Sequence, residues 1–186
     1  MSRKNDKRSR LVDAADKLIY QQTFNSTTLA DIATLADVPL GNVYYYFKTK
    51  EDILKAVIQK RTANLEEHFA AWEKLPSTKE RLVAFIEQSA TDAETTARFG
   101  SELGSLCQEL SKNSSEISEL TTNMMRSVLA WVEKQFKSLG KGERSLTLAE
   151  HLIARLQGVS LLTLTFKDPS FLQQQSKTLE SWIETV

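Results

Sequence analysis

The stretch from Thr27 to Leu54, TTLADIATLADVPLGNVYYYFKTKEDIL, predicts two short helices separated by a tight turn and followed by the start of a longer helix. Thr28 can cap the first helix, because Asp31 stands three residues later at the spacing of a capping box. The apolar residues of this helix share one face: Leu29, Ile32, Ala33 and Ala36. We expect the helix to end near Ala36.

The second short helix is expected to begin at about Leu40, after a turn formed by residues 37–39. Pro39 suits the opening of a helix, because its missing N–H would have no intrahelical partner at that position. At helical spacing Val43 and Phe47 point inward. The outward face carries Leu40, Gly41, Tyr44 and Tyr45.

This outward face suits a surface that lies in the major groove of DNA. Exposed tyrosines are costly in water, whereas their hydroxyls can donate to phosphates and their rings can touch thymine methyl groups. Thr49 can cap the next helix with Asp52, and it places Lys50 at a helix N-terminus, which attracts phosphate. We predict that the DNA-binding residues are Thr28, Leu40, Gly41, Asn42, Tyr44, Tyr45, Tyr46 and Lys50.

Two segments, TTLADIATLADV and GNVYYYFKTKEDIL, together resemble the N-terminal signature of the TetR family of bacterial transcriptional regulators. The resemblance covers roughly the first quarter of the chain. It implies a helix-turn-helix domain that binds an operator in double-stranded DNA. It also implies a homodimer formed through the last two long helices and a small-molecule inducer bound in the C-terminal region.

Charge is unevenly distributed, although the formal net charge is zero. Residues 1–60 contain 10 Lys and Arg against 7 Asp and Glu, and the remainder contains 14 against 17. The first ten residues predict a basic arm that adds phosphate contacts, and a frayed, solvated terminus is the alternative. The basic residues of this arm are Arg3, Lys4, Lys7, Arg8 and Arg10.

Cysteine usage and hydropathy favour a cytoplasmic protein without a membrane segment. The single cysteine excludes an intrachain disulfide and fits a reducing compartment. We expect no signal peptide, because the N-terminus lacks a continuous apolar region. The most apolar run, residues 156–166, is shorter than the roughly 20 residues that a membrane-spanning helix needs.

Helical patterns continue to the end of the chain, so we predict an all-α fold. Further helices are expected over residues 8–22, 50–75, 77–90, 117–139, 148–166 and 171–183, and a segment at 95–111 is weakened by Gly100 and Gly104. We expect Asn113 or Ser114 to open the helix at 117, and Thr147 with Glu150 to open the helix at 148. The predicted domains are a helix-turn-helix DNA-binding domain (1–50) and a helical regulatory and dimerisation domain (51–186).

The helix at 148–166 is apolar around most of its circumference in its second half, so it needs cover on two sides. One side would face the protomer's own core and the other a second copy, and a core helix of a monomer is the alternative. A single helix-turn-helix reads few base pairs, and such readers usually act in pairs. We predict a dimer interface formed by Leu156, Val159, Leu162, Phe166, Leu172, Leu179, Trp182 and Ile183.

Large side chains in the C-terminal helices indicate where an inducer would bind if the resemblance holds. We place the ligand-binding residues at Trp72, Phe85, Phe99, Cys107, Met124 and Trp131, although each alone also suits an ordinary core. The helix that begins at Lys50 would carry a ligand-induced tilt to the DNA-binding surface. Cys107 offers a rival trigger as an electrophile sensor, and a buried inert cysteine is the alternative.

No metal, cofactor or catalytic site is predicted. His68 and His151 lack acidic or cysteine neighbours at ligand spacing, and no glycine-rich phosphate loop or nucleophile elbow is present. We therefore expect no enzyme activity, and the resemblance to the TetR family implies a ligand-responsive repressor. The alternatives are a DNA-binding structural or division-control protein without an inducer, and a helical enzyme or adaptor that uses the helix-turn-helix to bind protein.

Overall fold

The computed structural model describes residues 3–112 and 116–186, with side chains from Asp6 onward. Regular structure in these residues is helical throughout, which confirms the predicted all-α fold. The α-helices are α1 (Arg3–Gln22), α2 (Leu29–Leu35), α3 (Leu40–Tyr46), α4 (Lys50–Trp72), α5 (Thr78–Ala90), α6 (Ala93–Phe99), α7 (Glu102–Leu110), α8 (Glu116–Ser138), α9 (Ser145–Phe166) and α10 (Ser170–Thr185). A 3-10 turn, Gly142–Arg144, leads into α9.

The chain divides into two compact units. Unit 1 comprises Met1–Asn64 and Ser105–Thr122, and unit 2 comprises Leu65–Gly104 and Asn123–Val186. This division differs from the predicted boundary at residue 50, because the first part of α4 and the segment after Gly104 pack with the N-terminal helices. The boundaries between the units therefore fall inside α4, α7 and α8.

Unit 1 has an apolar core to which α1, α2, α3 and the first half of α4 each contribute buried side chains. The core includes Leu11, Ala15, Ile19, Ile32, Val43, Phe47, Ile53, Leu54 and Val57. A buried ion pair supports this core, since Arg61 Nε donates to Asp16 Oδ1 at 2.7 Å. Because the carboxylate also accepts from Lys60 Nζ at 3.0 Å, both oxygens of Asp16 are satisfied.

Unit 2 is a helical bundle in which α10 packs against α5 and α9, and α6 packs against α9. The side chains of its main core are fully or nearly fully buried and include Leu82, Ile86, Val132, Phe136, Leu152, Leu156, Leu179 and Ile183. Burial of these side chains supplies the main stabilising free energy of the bundle, at about 25 cal/mol for each Å² of apolar surface removed from water.

Several helix boundaries follow short-range signals in the sequence. Ser77 caps α5 by accepting a hydrogen bond from Glu80 N. Gly100 separates α6 from α7 with φ of 84°, a conformation that glycine adopts without strain. The prediction for α9 was wrong, because the helix begins at Ser145 directly after the 3-10 turn and Thr147 lies inside it. Residues Asn113 and Ser114, the predicted cap of α8, lie outside the described residues.

Candidate nucleic-acid interface

The start of α2 is fixed by a complete capping box. Thr28 Oγ1 accepts a hydrogen bond from Asp31 N at 3.2 Å, and Asp31 Oδ2 accepts from Thr28 N at 3.0 Å. The hydroxyl of Thr28 also donates to the same carboxylate at 2.6 Å. These hydrogen bonds from Thr28 lower the pKa of Asp31. Thr28 is exposed, so the predicted DNA-binding residue lies on the surface and also serves as the helix cap.

The turn between α2 and α3 is held by an arginine from α1. Arg10 Nη2 donates to the backbone oxygens of Ala36 and Asp37 and forms an ion pair with the Asp37 carboxylate at 3.0 Å. Asp37 adopts a left-handed backbone with φ of 50°, which aspartate tolerates better than most residues. Arg10 was assigned to a basic arm, whereas the structure gives it a role in holding the turn.

The predicted basic arm is otherwise helical, since α1 already begins at Arg3. Arg8 places its guanidinium over the ring of Phe47, 5.1 Å from the centroid. The side chains of Arg3 and Lys4 lie outside the described residues. The segment predicted to be a basic arm therefore forms the first turns of α1.

The outward face of α3 presents large side chains to solvent. Tyr44 and Tyr45 are exposed, Tyr45 by 62%, together with Leu40, Gly41 and Asn42. On the opposite face Val43 and Phe47 are buried in the core of unit 1. Tyr46 differs from its neighbours because it is half-buried against that core, with its ring edge-on to Tyr45 at 5.1 Å. The exposed face of α3 therefore consists of these five residues, with Tyr46 behind it.

Lys50 contacts the loop between α1 and α2. Its Nζ donates to the backbone oxygen of Phe24 at 2.9 Å and lies 4.2 Å from the centroid of the Phe24 ring. A second, longer hydrogen bond reaches the oxygen of Asn25 at 3.4 Å. The ammonium predicted to bind phosphate thus also anchors this loop. Lysine has three donors, so an exposed phosphate remains within its capacity.

Two neighbours of Lys50 complete the N-terminus of α4. Thr49 Oγ1 accepts a hydrogen bond from Asp52 N at 3.1 Å, and Asp52 Oδ2 accepts from Thr49 N and Lys48 N. Lys48 is exposed, and its Nζ donates to the backbone oxygen of Tyr44 at 2.9 Å. Sequence reasoning missed Lys48, which places a second positive charge beside the exposed face of α3.

The loop between α1 and α2 has a further partner that sequence reasoning missed. The two carboxylate oxygens of Glu109, on α7, accept hydrogen bonds from the backbone N–H groups of Phe24 and Asn25 at 3.0 and 2.9 Å. All three residues belong to unit 1. Because they are more than 80 residues apart in the chain, no local pattern indicates the contact.

Three of the predicted ligand-binding residues lie together in unit 2. The ring centroids of Trp72 and Trp131 are 5.3 Å apart, and Phe85 lies 5.9 Å from Trp72 and 6.0 Å from Trp131. Phe69, which was not predicted, stacks on Trp131 at 5.0 Å. We refer to Phe69, Trp72, Phe85 and Trp131 as the aromatic cluster.

The other predicted ligand-binding residues have different surroundings. Phe99 is half-buried at the end of α6 beneath the guanidinium of Arg98, and Met124 is buried on α8. Cys107 belongs to unit 1, whereas the aromatic cluster belongs to unit 2. The thiol donates to the backbone oxygen of Thr121 at 3.6 Å. Burial raises the pKa of Cys107 to about 11, against the opposing effect of the Arg61 charge.

The predicted dimer interface needs correction. Five of its residues are buried inside the protomer and have no surface left for a partner: Leu156, Val159, Leu172, Leu179 and Ile183. Trp182 is half-buried against the same core. Leu162 and Phe166 are exposed, as is the neighbouring Leu161. A helix that is apolar around its circumference does not reveal which face its own protomer covers.

Residues 3–112 and 116–186 contain neither a metal-binding cluster nor a membrane-spanning helix. No cluster of three or more His, Cys, Asp or Glu side chains in this part of the chain is arranged to hold a metal ion. Among its helices, none combines the length and apolar character required to cross a membrane.

Known proteins share both the N-terminal sequence and the fold. Residues 11–57 match the family described as bacterial regulatory proteins, tetR family. The HTH-type transcriptional repressor NemR of Escherichia coli (strain K12) is 26% identical over 86% of this chain and 81% of its own length. An uncharacterized HTH-type transcriptional regulator of Lactococcus lactis subsp. lactis is 22% identical over 96% of this chain and 94% of its own length.

The fold is likewise that of a solved structure, a TetR transcriptional regulator from Legionella pneumophila. Its TM-score is 0.84 at 22% identity, and the match covers 100% of this chain and 97% of that chain. The capped helices and the turn therefore occur in a chain that is similar to helix-turn-helix transcriptional regulators. Residues 11–57 are thus similar to the TetR family of bacterial regulatory proteins, and the likeness in fold extends over the whole chain.

Proposed function

We propose that the protein is a ligand-responsive repressor that binds a pseudo-palindromic operator as a homodimer and leaves it when a small molecule binds in unit 2. The observation that carries the DNA-binding part is the exposed face of α3. Tyr44 and Tyr45 lie in solvent while Val43 and Phe47 anchor the helix from behind. A rigid helix with an exposed tyrosine face is suited to the major groove, where hydroxyl and ring contacts read bases and phosphates.

The proposed dimer uses the exposed face of α9. Leu161 and Phe166 are 58% and 62% exposed, and Leu162 lies beside them. Gly158, one turn earlier, is also exposed, and a Cβ built there would meet no atom of the protomer within 4 Å. Glycine inside a helix costs about 1 kcal/mol relative to alanine, so the protomer gains nothing from it. Because glycine has no side chain, it would allow the backbone of a partner helix to approach α9 closely.

The proposed switch depends on helices that continue from one unit into the other. Both α4 and α7 contain a unit boundary; α4 carries Lys50 and Trp72, and α7 carries Glu109. A ligand that prefers one arrangement of these helices shifts the protein toward that arrangement. The loop between α1 and α2 would respond, because Lys50 and Glu109 both form hydrogen bonds with it. This loop precedes the first helix of the helix-turn-helix.

Selection of bound DNA from a random pool tests the proposed operator. The purified protein should enrich a sequence with two inverted half-sites about one helical turn apart, as expected for a two-fold dimer. Enrichment of no sequence would contradict the proposal and leave the other two alternatives, whereas an enriched sequence excludes the helical enzyme or adaptor. If an operator is found, a broad screen of lipophilic molecules for operator release separates an inducible repressor from a division-control protein without an inducer.

The electrophile-sensor alternative is disfavoured by the surroundings of Cys107. A reactive cysteine needs a thiolate, and thiolates form in exposed sites near positive charge. Burial instead raises the pKa of Cys107 to about 11, and the thiol is already a hydrogen-bond donor to Thr121. The alternative, a half-buried and chemically inert cysteine, fits these observations better.

A further inference from the structure

Trp131 of the aromatic cluster and Gln135, one turn further along α8, each carry a buried polar atom that has no hydrogen-bond partner among the described residues. They are the indole Nε1 of Trp131 and the amide Oε1 of Gln135. Trp131 is 7% exposed and Gln135 is fully buried. Native proteins satisfy most buried polar atoms, so a neighbouring pair without partners calls for an explanation.

The two atoms have complementary character. Trp131 and Gln135 are four residues apart on α8, so their side chains leave the same face of the helix about 6 Å apart along its axis. The indole N–H can only donate a hydrogen bond, and the amide oxygen can only accept one. A group that both accepts and donates would therefore satisfy the pair.

The orientation of the Gln135 amide is fixed by its other end. Gln135 Nε2 donates to Glu73 Oε1 at 3.0 Å, so exchanging the amide nitrogen and oxygen would set two oxygens against each other. The Glu73 carboxylate is also paired with Lys134 at 2.9 Å and Arg81 at 3.0 Å. These contacts, above all the hydrogen bond from Lys134, lower the pKa of Glu73. Its charge is thus already matched inside the protein.

Two other buried atoms without partners do not form such a pair. Ser145 Oγ and Thr163 Oγ1 are single hydroxyls on α9, 18 residues apart in the helix. A hydroxyl can rotate toward a carbonyl of its own helix. Trp131 and Gln135 are different, because they combine a donor and an acceptor one turn apart on α8, and the Trp131 ring packs against three other aromatic rings.

We propose that Trp131 and Gln135 bind the polar head of the ligand, and that the ligand is a neutral aromatic or lipophilic molecule carrying a hydroxyl. The hydroxyl accepts from the Trp131 indole and donates to the Gln135 oxygen, while the apolar body packs against the aromatic cluster. A neutral head is required, because neither atom can neutralise a charge and burying an unpaired charge is costly. This inference names the ligand class for the switch proposed above and rests on that proposal.

A series of matched probes tests the inference on the wild-type protein by calorimetry. The probes are 2-naphthol, 2-methoxynaphthalene, which can accept but not donate, and naphthalene, which can do neither. We expect 2-naphthol to bind about tenfold or more tightly than naphthalene, with 2-methoxynaphthalene between them, because an unmet buried partner is expensive. Equal affinities for the three probes would overturn the inference.

Two variants locate the head group. Trp131→Phe keeps an aromatic ring and removes the donor, and Gln135→Met keeps the volume and removes the acceptor. Each should reduce the preference for 2-naphthol over naphthalene about tenfold, whereas Gln88→Met, an exposed position on α5, should leave it unchanged. Thermal melts identify any variant that does not fold, and the probe series on the wild type needs no variant.

Measuring operator affinity with and without the probe separates the failure of this inference from the failure of the proposed switch. If 2-naphthol binds through Trp131 and Gln135 but operator affinity is unchanged, the ligand class stands and the switch fails. If other molecules release the operator and the probe preference is absent, the switch stands and the ligand class is overturned.

Discussion

Glu109 on α7 accepts a hydrogen bond from the backbone N–H of Phe24 at 3.0 Å, across 85 residues of sequence. Its other oxygen accepts from Asn25 N at 2.9 Å, while Lys50 donates to the carbonyl of Phe24. Thr23, just before them, has φ of 77°, which is uncommon for a β-branched residue. The loop that precedes α2 is therefore held in an unfavourable backbone conformation by a carboxylate on one side and an ammonium on the other.

We predict that Glu109→Gln loosens this loop. An amide has one neutral oxygen in place of two charged ones, so one of the two N–H groups loses its acceptor and the other keeps only a neutral acceptor. The free energy of unfolding should fall by about 1 kcal/mol, and the amide protons of Phe24 or Asn25 should exchange faster. Operator affinity without ligand should fall several-fold, since the loop sets the start of α2.

A matched variant distinguishes this clamp from a general effect of charge. Glu119→Gln removes one negative charge from an exposed position on α8 in the same unit. It should leave amide exchange at Phe24 and Asn25 unchanged. Equal exchange in wild type and Glu109→Gln would show that the hydrogen bonds do not hold the loop.

The sequence predicted what depends on near neighbours. The Thr28 and Thr49 caps, the turn at Asp37 and the inward placement of Val43 each depend on residues within about one helical turn, and each is visible in a short window. The partners of Arg10 and Glu109 lie 26 to 85 residues away, and only the folded chain brings them together.

Several residues of the predicted dimer interface were misplaced for a related reason. Periodicity shows that α9 is apolar on more than one side, but the position of α10 decides which side is covered. In the structure Leu156 is buried in the core of unit 2, while Leu161 faces solvent. The sequence of α9 therefore predicts an interface without locating it.

We predict that the two parts of the DNA-binding surface respond differently to substitution. Lys48→Ala should weaken binding to all sequences and reduce the slope of log affinity against log salt by about one phosphate contact. Tyr45→Ala should change which sequences are selected, because its side chain is the most exposed on the α3 face. Lys17→Ala, an exposed lysine on α1, provides the control for loss of a positive charge.

Fluorescence anisotropy at several salt concentrations, followed by selection from a random pool, measures both effects. An unchanged salt slope for Lys48→Ala would remove Lys48 from the phosphate contacts. Unchanged sequence selection by Tyr45→Ala would mean that the tyrosine face does not read bases.

We predict that Leu161→Glu disrupts the dimer. Leu161 is 58% exposed in the protomer, so the substitution should leave the fold intact while placing a charge in the proposed interface. The control is Thr178→Glu, at an exposed position on α10 surrounded by polar residues. Sedimentation should show a monomer for Leu161→Glu and a dimer for the control at micromolar concentration, and a dimer in both would locate the interface elsewhere.

The final prediction concerns the pH dependence of Cys107. Burial raises the pKa of its thiol from 9.0 to about 11, so at pH 8 only about one molecule in a thousand carries the thiolate, against about one in ten for the unfolded chain. Alkylation by iodoacetamide should be slow in the folded protein and should rise about tenfold per pH unit between pH 8 and 10. In denaturant the rate should instead level off above pH 9.

Because the folded state retains the proton of Cys107 more strongly, this thiol contributes stability that is fully present below pH 9 and is lost as the pH rises from 9 through 11. Cys107→Ser lacks the thiol and should show no alkylation and a smaller decline of thermal stability over that range. Rapid alkylation of the folded protein at pH 7 would contradict the inert thiol and restore the electrophile sensor as an explanation of the switch.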